Sequence, residues 1–436
     1  MAKRIVFIGA AGEMCRVAIE DFVKAGGDWE LVLCDIRADT LGPLARSLPQ
    51  GRATVQRLDL FDNDSLRQVI DGAAVVVLGA GPYIRTSEPV IEACLEAKVP
   101  YLDFDDDVES TEAALARHER ARQAGVPILV GCGASPGLTN VMTADAASEL
   151  DTVERIDVCW ATGDERPSPY GRAVLEHAIH ISAGPCVTWE YGHRVVHETF
   201  VETEVMPLGN SLGNYRLYES AHPETVTMPR RWPNAQRVRV LGGLDPQPAN
   251  GVLRGVALAV HKGNLSMDEA IDFLDDIMTD GRGNAKGWRY ALSGLGGQVA
   301  RGEVKLGEAL EYLVKGVRRK HYKYRGINYT RVTGIRDGQR VSVVRRVPVS
   351  GPGTPWTSMA ALTGACTAAF MMLALDGLDG LAGVLAPEDW ADPEGLYAKL
   401  EITGAKPDEI VESVVTPSTP ARSRARRGLQ LTSHVG

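Results

Sequence analysis

The stretch Lys3-Arg4-Ile5-Val6-Phe7-Ile8-Gly9-Ala10-Ala11-Gly12-Glu13-Met14-Cys15 decides the reading of this chain. An apolar run enters a glycine turn, and a helix-compatible segment follows. Strand, tight turn and helix in that order bring backbone N–H groups and a helix N-terminus to a pyrophosphate. The spacing is G-x-x-G-x-M, short of the full G-x-G-x-x-G, so the turn taken alone also fits a plain structural βαβ turn. A second apolar run, Leu31 to Cys34, ends in Asp35, at the strand end where a ribose 2′-hydroxyl is accepted. Together the two runs point to NAD or NADP. Asp35 slightly favours NAD, because a carboxylate repels a 2′-phosphate, whereas Arg37 is placed to turn toward that phosphate and favour NADP. The expected cofactor contacts are Gly9, Ala11, Gly12, Glu13 and Met14 on the first turn, and Asp35, Ile36 and Arg37 on the second.

Working outward, short apolar runs alternate with helical patterns to about residue 147. Thr54 to Asp59, Val75 to Leu78, Tyr101 to Asp103 and Ile128 to Val130 are the further strands. Such runs between helices of about 10–15 residues mean a parallel sheet covered on both faces, a doubly wound Rossmann domain. The strand ends add Asp59 and Leu60, and then Gly79, Ala80, Gly81 and Pro82, to the expected cofactor contacts.

Beyond residue 148 the texture changes to longer alternating segments: Arg155 to Trp160, Val195 to Val205 and Arg237 to Val240. Asp337-Gly338 separates alternating arms, Arg331 to Arg336 and Val341 to Val347, as a hairpin turn does. The expectation is α/β overall: residues 1–147 a Rossmann domain, and 148–360 an α+β substrate and dimerisation domain with a mixed or antiparallel sheet. A helical insertion is expected near 262–330. Within it Ser266 and Glu269 read as a capping box, Gly281 to Gly297 as a mobile connection, and Leu306 to Val317 as a helix. Residues 361–405 read as C-terminal helices packing back on the first domain, with Ala360 to Leu375 a buried or interdomain helix. Residues 406–436 read as a flexible tail.

Composition narrows the function classes. The 436 residues are 44% hydrophobic and 24% charged, ordinary globular material. A net charge of −9 speaks against nucleic-acid binding, and the basic run from Arg318 to Arg325 reads as a solvated face. The seven cysteines are scattered and never paired as C-x-x-C, so neither a disulfide framework nor a zinc site is indicated. No membrane-spanning run or signal peptide is read, and a cytoplasmic protein is expected.

Several motifs follow one another in order: Gly9 to Gly12, Gly79-Ala80-Gly81-Pro82-Tyr83, Val99-Pro100-Tyr101-Leu102-Asp103, Gly131 to Asn140, His222-Pro223-Glu224 to Pro229, and Gly383 to Glu388. On these the sequence resembles the saccharopine dehydrogenase and saccharopine reductase family, including the lysine 6-dehydrogenase-like proteins. The resemblance covers residues 1–147 well and 148–400 in patches, and leaves the insertion unmatched. It implies an NAD(P)-dependent oxidoreductase acting on CH–NH or CH–NH2 groups of an amine, amino acid or imine, working as a homodimer. It also implies that Asp103 is the carboxylate that holds a substrate ammonium or moves a proton. Asp105, Asp106 and Asp107 then read as a solvated loop. Tyr83 is either a substrate contact and a candidate, with Asp103 and His177, for the catalytic proton path, or a rim aromatic. Cys132 and Gly133 line the cofactor cleft through backbone groups, and Asn140 either contacts substrate or caps a helix.

The substrate domain departs from the family pattern. Trp160-Ala161-Thr162-Gly163-Asp164-Glu165-Arg166 leads into a helix-like Gly171 to Ser182, on which His177 and His180 share a face, as do Arg172 and Glu176. His177 is the expected general acid or base, with Arg172 and His180 as substrate contacts, although packing at the domain interface suits both histidines and His222 equally. A His-x-x-His pair without a third ligand is a poor zinc signature, so no metal is expected. Two competing readings remain from sequence: an NAD(P)-dependent reductase of a C=O or C=C bond, and a non-catalytic nucleotide sensor or scaffold.

Overall fold

The computed structural model describes residues 2–163, 170–209, 211–279, 281–320 and 322–417. Asp164, Glu165 and Arg166 lie outside the described residues. Six short segments form strands β1 (Lys3–Ile8), β2 (Trp29–Asp35), β3 (Ala53–Arg57), β4 (Val75–Leu78), β5 (Tyr101–Asp103) and β6 (Pro127–Leu129), all but β3 largely apolar. All pair in parallel. β4 is fully apolar and fully buried, as a central strand between two helical layers must be.

The second sheet is mixed. It contains β7 (Thr152–Gly163), β8 (Pro185–Glu190), β9 (His193–Glu198), β10 (Thr203–Gly209), β11 (Gly213–Glu219), β12 (Arg237–Asp245), β13 (Ile327–Arg336) and β14 (Gln339–Arg346). β12 runs parallel to β7, while β13 and β14 form the antiparallel hairpin that Asp337-Gly338 announces. The segment Val195 to Val205 is two strands rather than one, broken at Phe200, whose φ is 60°. Buried Asp157 on β7 binds Arg239 of β12 at 2.5 Å and Arg331 of β13 at 2.7 Å, pinning both neighbours to the central strand. Those two guanidiniums outweigh the burial penalty and hold the Asp157 carboxyl far below the usual range.

The chain then returns. Met359–Asp376 packs against the helix Glu13–Val23, and β15 (Gly383–Leu385) adds to β6 in parallel as the seventh strand of the first sheet. That sheet has the order β15-β6-β5-β4-β1-β2-β3. By length and composition Met359–Asp376 is apolar enough to cross a membrane, yet most of it is buried inside the protein. Of the tail expected over 406–436, residues 406–417 instead form a short helix, Pro407–Ile410, and β16 (Glu412–Pro417), which completes the second sheet beside β14, and 418–436 lie outside the described residues.

The insertion holds the helices Met267–Thr279, Ala285–Ala300 and Leu306–Val317, which corrects the reading of Gly281 to Gly297 as a connection. Only the residues up to Asn284 connect. Asn284 Oδ1 caps the helix Ala285–Ala300 by accepting from Gly287 N–H at 2.8 Å. The glycines inside that helix mark a crossing: a Cβ on Gly294 would stand 2.1 Å from the Gly251 carbonyl, and one on Gly255 2.2 Å from that of Tyr290. Backbones meet here without side chains between them. Ser266 and Glu269 do form the reciprocal capping box, at 2.8 and 3.1 Å.

Candidate active site

The carboxyl ends of β1, β2 and β4 face the ends of β7 and the start of β13 across a cleft of about 590 Å³. On the first wall, Gly9 adopts φ +87°, and a Cβ there would stand 2.5 Å from Ala80 N. The turn therefore lies against the loop after β4, leaving Gly12 to start the helix Glu13–Val23 at the floor. Asp35 ties the two nucleotide-side loops together: it accepts from Ala11 N–H at 3.0 Å and Arg37 N–H at 2.8 Å. The Arg37 side chain is largely exposed beside it, 3.7 Å away. This glycine cradle fits a dinucleotide, with free space over a helix N-terminus and a carboxylate at the end of β2.

Of the expected cofactor contacts, Gly9, Gly12, Glu13 and Met14 line the cleft, as do Asp35, Ile36 and Arg37, the loop Gly79 to Pro82, and Gly133. Ala11, Asp59, Leu60 and Cys132 do not. The Asp59 carboxylate turns back onto Phe61 N–H at 3.0 Å, while Leu60 and Cys132 are buried in the apolar core.

The substrate-side expectations are rearranged more deeply. Asp103 is fully buried beneath the cleft. Its carboxylate accepts from Tyr101 Oη at 2.7 Å, Gly131 N–H at 2.7 Å and Asp105 N–H at 3.1 Å, so it braces the loops instead of facing a ligand. Burial pushes it up to about 6, against those three hydrogen bonds. The Tyr83 ring lines the cleft against Phe104, but its hydroxyl donates inward to the Leu78 carbonyl. Asn140 is buried in the first turn of the helix Leu138–Ser148, where it accepts from Gly137 N–H at 2.9 Å and donates to Glu388 at 2.7 Å. Arg172 sits at the rim, committed to Asp268 and Asp272 at 2.7 Å each. His180 points away to Glu109.

His177 does reach the cleft, and the acidic residues expected in solvent lie beside it. Asp107 is buried and meets His177 Nδ1 at 2.8 Å, and Asp106 meets Nε2 at 3.2 Å. Asp105 is buried too, held by Ser110. Burial opposes protonation of His177, but the Asp106 and Asp107 carboxylates outweigh it and push the imidazole up to about 9. His222 approaches from the other sheet, ring to ring with His177 at 6.1 Å and with Trp160 at 6.1 Å. Its Nδ1 is held at 2.7 Å by buried Glu224, which also accepts from Ser135 and Thr139. Sequence reasoning missed Asp106, Glu224 and Trp160. The signals were faint: a run of acids directly after a strand on the ligand edge, and a His two residues before a Glu.

Comparison with known proteins now has a site to explain. A family model described as the saccharopine dehydrogenase NADP binding domain matches residues 5–129. The resemblance read from the motifs is thereby borne out, as is a nicotinamide dinucleotide cofactor. Carboxynorspermidine synthase of Vibrio cholerae is 26% identical over 223 residues, 47% of this chain and 52% of that protein. Carboxyaminopropylagmatine dehydrogenase of Synechocystis is 30% identical over 172 residues, 36% of this chain and 41% of that protein. The matches thus span about half the length of these curated relatives. The L-Glu-forming saccharopine dehydrogenase of Saccharomyces cerevisiae shares the fold over 96% of this chain and all of its own, with a TM-score of 0.63 at 14% identity. The two-sheet architecture of this chain is therefore that of the saccharopine dehydrogenase fold.

Proposed function

We propose that this protein is an NAD(P)-dependent oxidoreductase acting on the C–N bond of a small amine, amino acid or imine. The observation that carries the reading is one cleft with a dinucleotide cradle on one wall and the Asp106, Asp107, His177 and His222 cluster on the other. When bound, the dinucleotide supplies the hydride given to, or taken from, the carbon that bears nitrogen.

The chain's own residues do the rest. The glycine turn and the start of the helix Glu13–Val23 hold the diphosphate, and Asp35 orders the ribose end. Gly79 to Pro82 set the depth at which the nicotinamide stops. Tyr83 and Trp160 wall the reacting end with apolar surface, which excludes water and strengthens every charge interaction there. Asp106 answers the positive charge that nitrogen carries as an amine or iminium, and the surplus of carboxylates selects a cationic substrate over an anionic one. Carboxynorspermidine synthase and carboxyaminopropylagmatine dehydrogenase, whose names describe amine products or substrates, support that choice.

Arg37 leaves the preference between NAD and NADP to the side chain's turn, and the family model's NADP description favours NADP over the slight preference for NAD read from Asp35. The division at residues 147 and 360, a homodimer and a cytoplasmic location belong to the same proposal; light scattering of the eluting protein tests the dimer.

The experiment is a screen of amines, amino acids and carbonyl-plus-amine mixtures, followed by the absorbance of the reduced cofactor with NAD and NADP in turn. Turnover with at least one C–N substrate is expected. Turnover confined to ketones or enones overturns the reading in favour of a C=O or C=C reductase, and dinucleotide binding without any turnover makes the protein a sensor.

A further inference from the structure

Three potential ligands converge in the cleft from three separate elements: Asp106 from the loop after β5, His177 from the helix Arg172–His180, and His222 from the turn before the helix Glu224–Arg231. One ligand atom from each lies within 4.8 Å of the others. We propose that these residues bind one divalent transition-metal cation of the zinc type, with an open coordination position toward the cleft. The inference deepens the proposed function and rests on the same wall of the cleft meeting the substrate.

The chemistry of the donor set favours this occupant. Two imidazoles and a carboxylate are the ligands of open zinc and related sites, in which a substrate atom or water completes the shell. Donor atoms around a tetrahedral ion with bonds of about 2.0–2.2 Å stand roughly 3.4 Å apart. His177 Nε2 and Asp106 Oδ2 are already 3.2 Å apart, and the remaining pairs lie within 4.8 Å.

Both imidazoles are also braced from behind, as metal-binding imidazoles are. Asp107 holds Nδ1 of His177 at 2.8 Å, and Glu224 holds Nδ1 of His222 at 2.7 Å. That leaves His222 to offer Nε2, while Nε2 of His177 faces the Asp106 carboxylate at 3.2 Å, where an ion would stand between them. Glu224 is itself fixed by Ser135 at 2.7 Å, so the brace reaches back to the turn that joins the two sheets. Asp106 is the most open of the three, its side chain 35% exposed, and it faces the cleft. The ion would hold the lone pair of a substrate carbonyl oxygen or amine nitrogen beside the nicotinamide as a Lewis acid, with no change in its own oxidation state.

The test uses the full chain, stripped with a chelator and dialysed against zinc or cobalt(II) alone. We expect one ion per chain by elemental analysis and visible cobalt bands of an N/O-ligated, four- or five-coordinate site. Asp106→Asn and His177→Gln should each weaken uptake at least tenfold with circular dichroism unchanged, while His180→Ala, outside the cluster, should leave it intact. Substoichiometric uptake, uptake indifferent to Asp106→Asn, or a cobalt–thiolate charge-transfer band overturns the proposal. Dinucleotide titration of the same samples separates the two readings: binding of NADPH without an ion removes the metal and keeps the oxidoreductase, and an ion without NADPH binding does the reverse.

Discussion

The two walls of the cleft are built on different principles. The dinucleotide wall is made almost entirely of backbone: a glycine turn, a helix start and loop N–H groups gathered by one carboxylate, Asp35. The opposite wall is made of side chains from three elements, and its two imidazoles are each held by a buried carboxylate. A backbone site is specified by local order along the chain and is shared by many proteins. A side-chain site is specified by long-range packing, which no short stretch of sequence displays. The common cofactor therefore sits on the wall that sequence reads directly, and the particular substrate meets the wall that it does not.

If that division holds, substitutions on the two walls separate cleanly. His177→Ala should lower turnover by on the order of 10³-fold while NADPH affinity stays within about twofold; a parallel loss of NADPH binding would merge the walls into one unit. Gly12→Val places a branched side chain over the floor of the cradle and should weaken dinucleotide binding by about 100-fold, roughly 3 kcal/mol of steric cost. Fluorescence titration of NADPH checks it, and unchanged affinity would remove the diphosphate from this turn.

Glu388 probes the seam between the walls. Burial lifts its carboxyl to about 7, against the hydrogen bond from Asn140. Below about pH 4 it is protonated whether the chain is folded or not, and its neutral form costs nothing. As pH rises toward 7 the unfolded chain ionises and the folded one does not, so stability is lost over that window and levels off above it. Glu388→Gln removes this loss. The variant should gain on parent by on the order of 2 kcal/mol between pH 4.5 and 8 in denaturant titrations, and a pH-independent difference would contradict the buried neutral carboxyl. Asp35→Ala should have the smallest effect, a shift of about tenfold in the ratio of NADP to NAD affinity. An unmoved ratio leaves discrimination to Arg37.

The first sheet was legible because its central strands are short apolar runs buried on both faces, and the glycine bend and Asp35 have a meaning set by a few neighbouring residues. His177 was legible through helical spacing. Asp106 was not, since a run of acids carries no local mark of burial, and its enclosure comes from His177 and His222, about 70 and 115 residues further along. Asp103 was misplaced for the same reason, as the N–H groups that absorb its carboxylate belong to Gly131 and Asp105. The glycines of Ala285–Ala300 misled because close approach of two helices demands the residue that otherwise signals a loop. Three-residue β15 offers too little pattern to be seen without β6 beside it.

That last strand has a consequence for how the molecule is made. β6 is complete at residue 129, yet the partner that covers its outer edge emerges about 250 residues later. At ribosomal speeds of roughly 5–20 residues per second, that edge waits on the order of 10–50 s during synthesis, with its hydrogen-bonding groups open to any passing strand. The nascent nucleotide domain is thus most prone to mispairing at the side away from its glycine turn, and a ribosome stalled before residue 383 leaves it there.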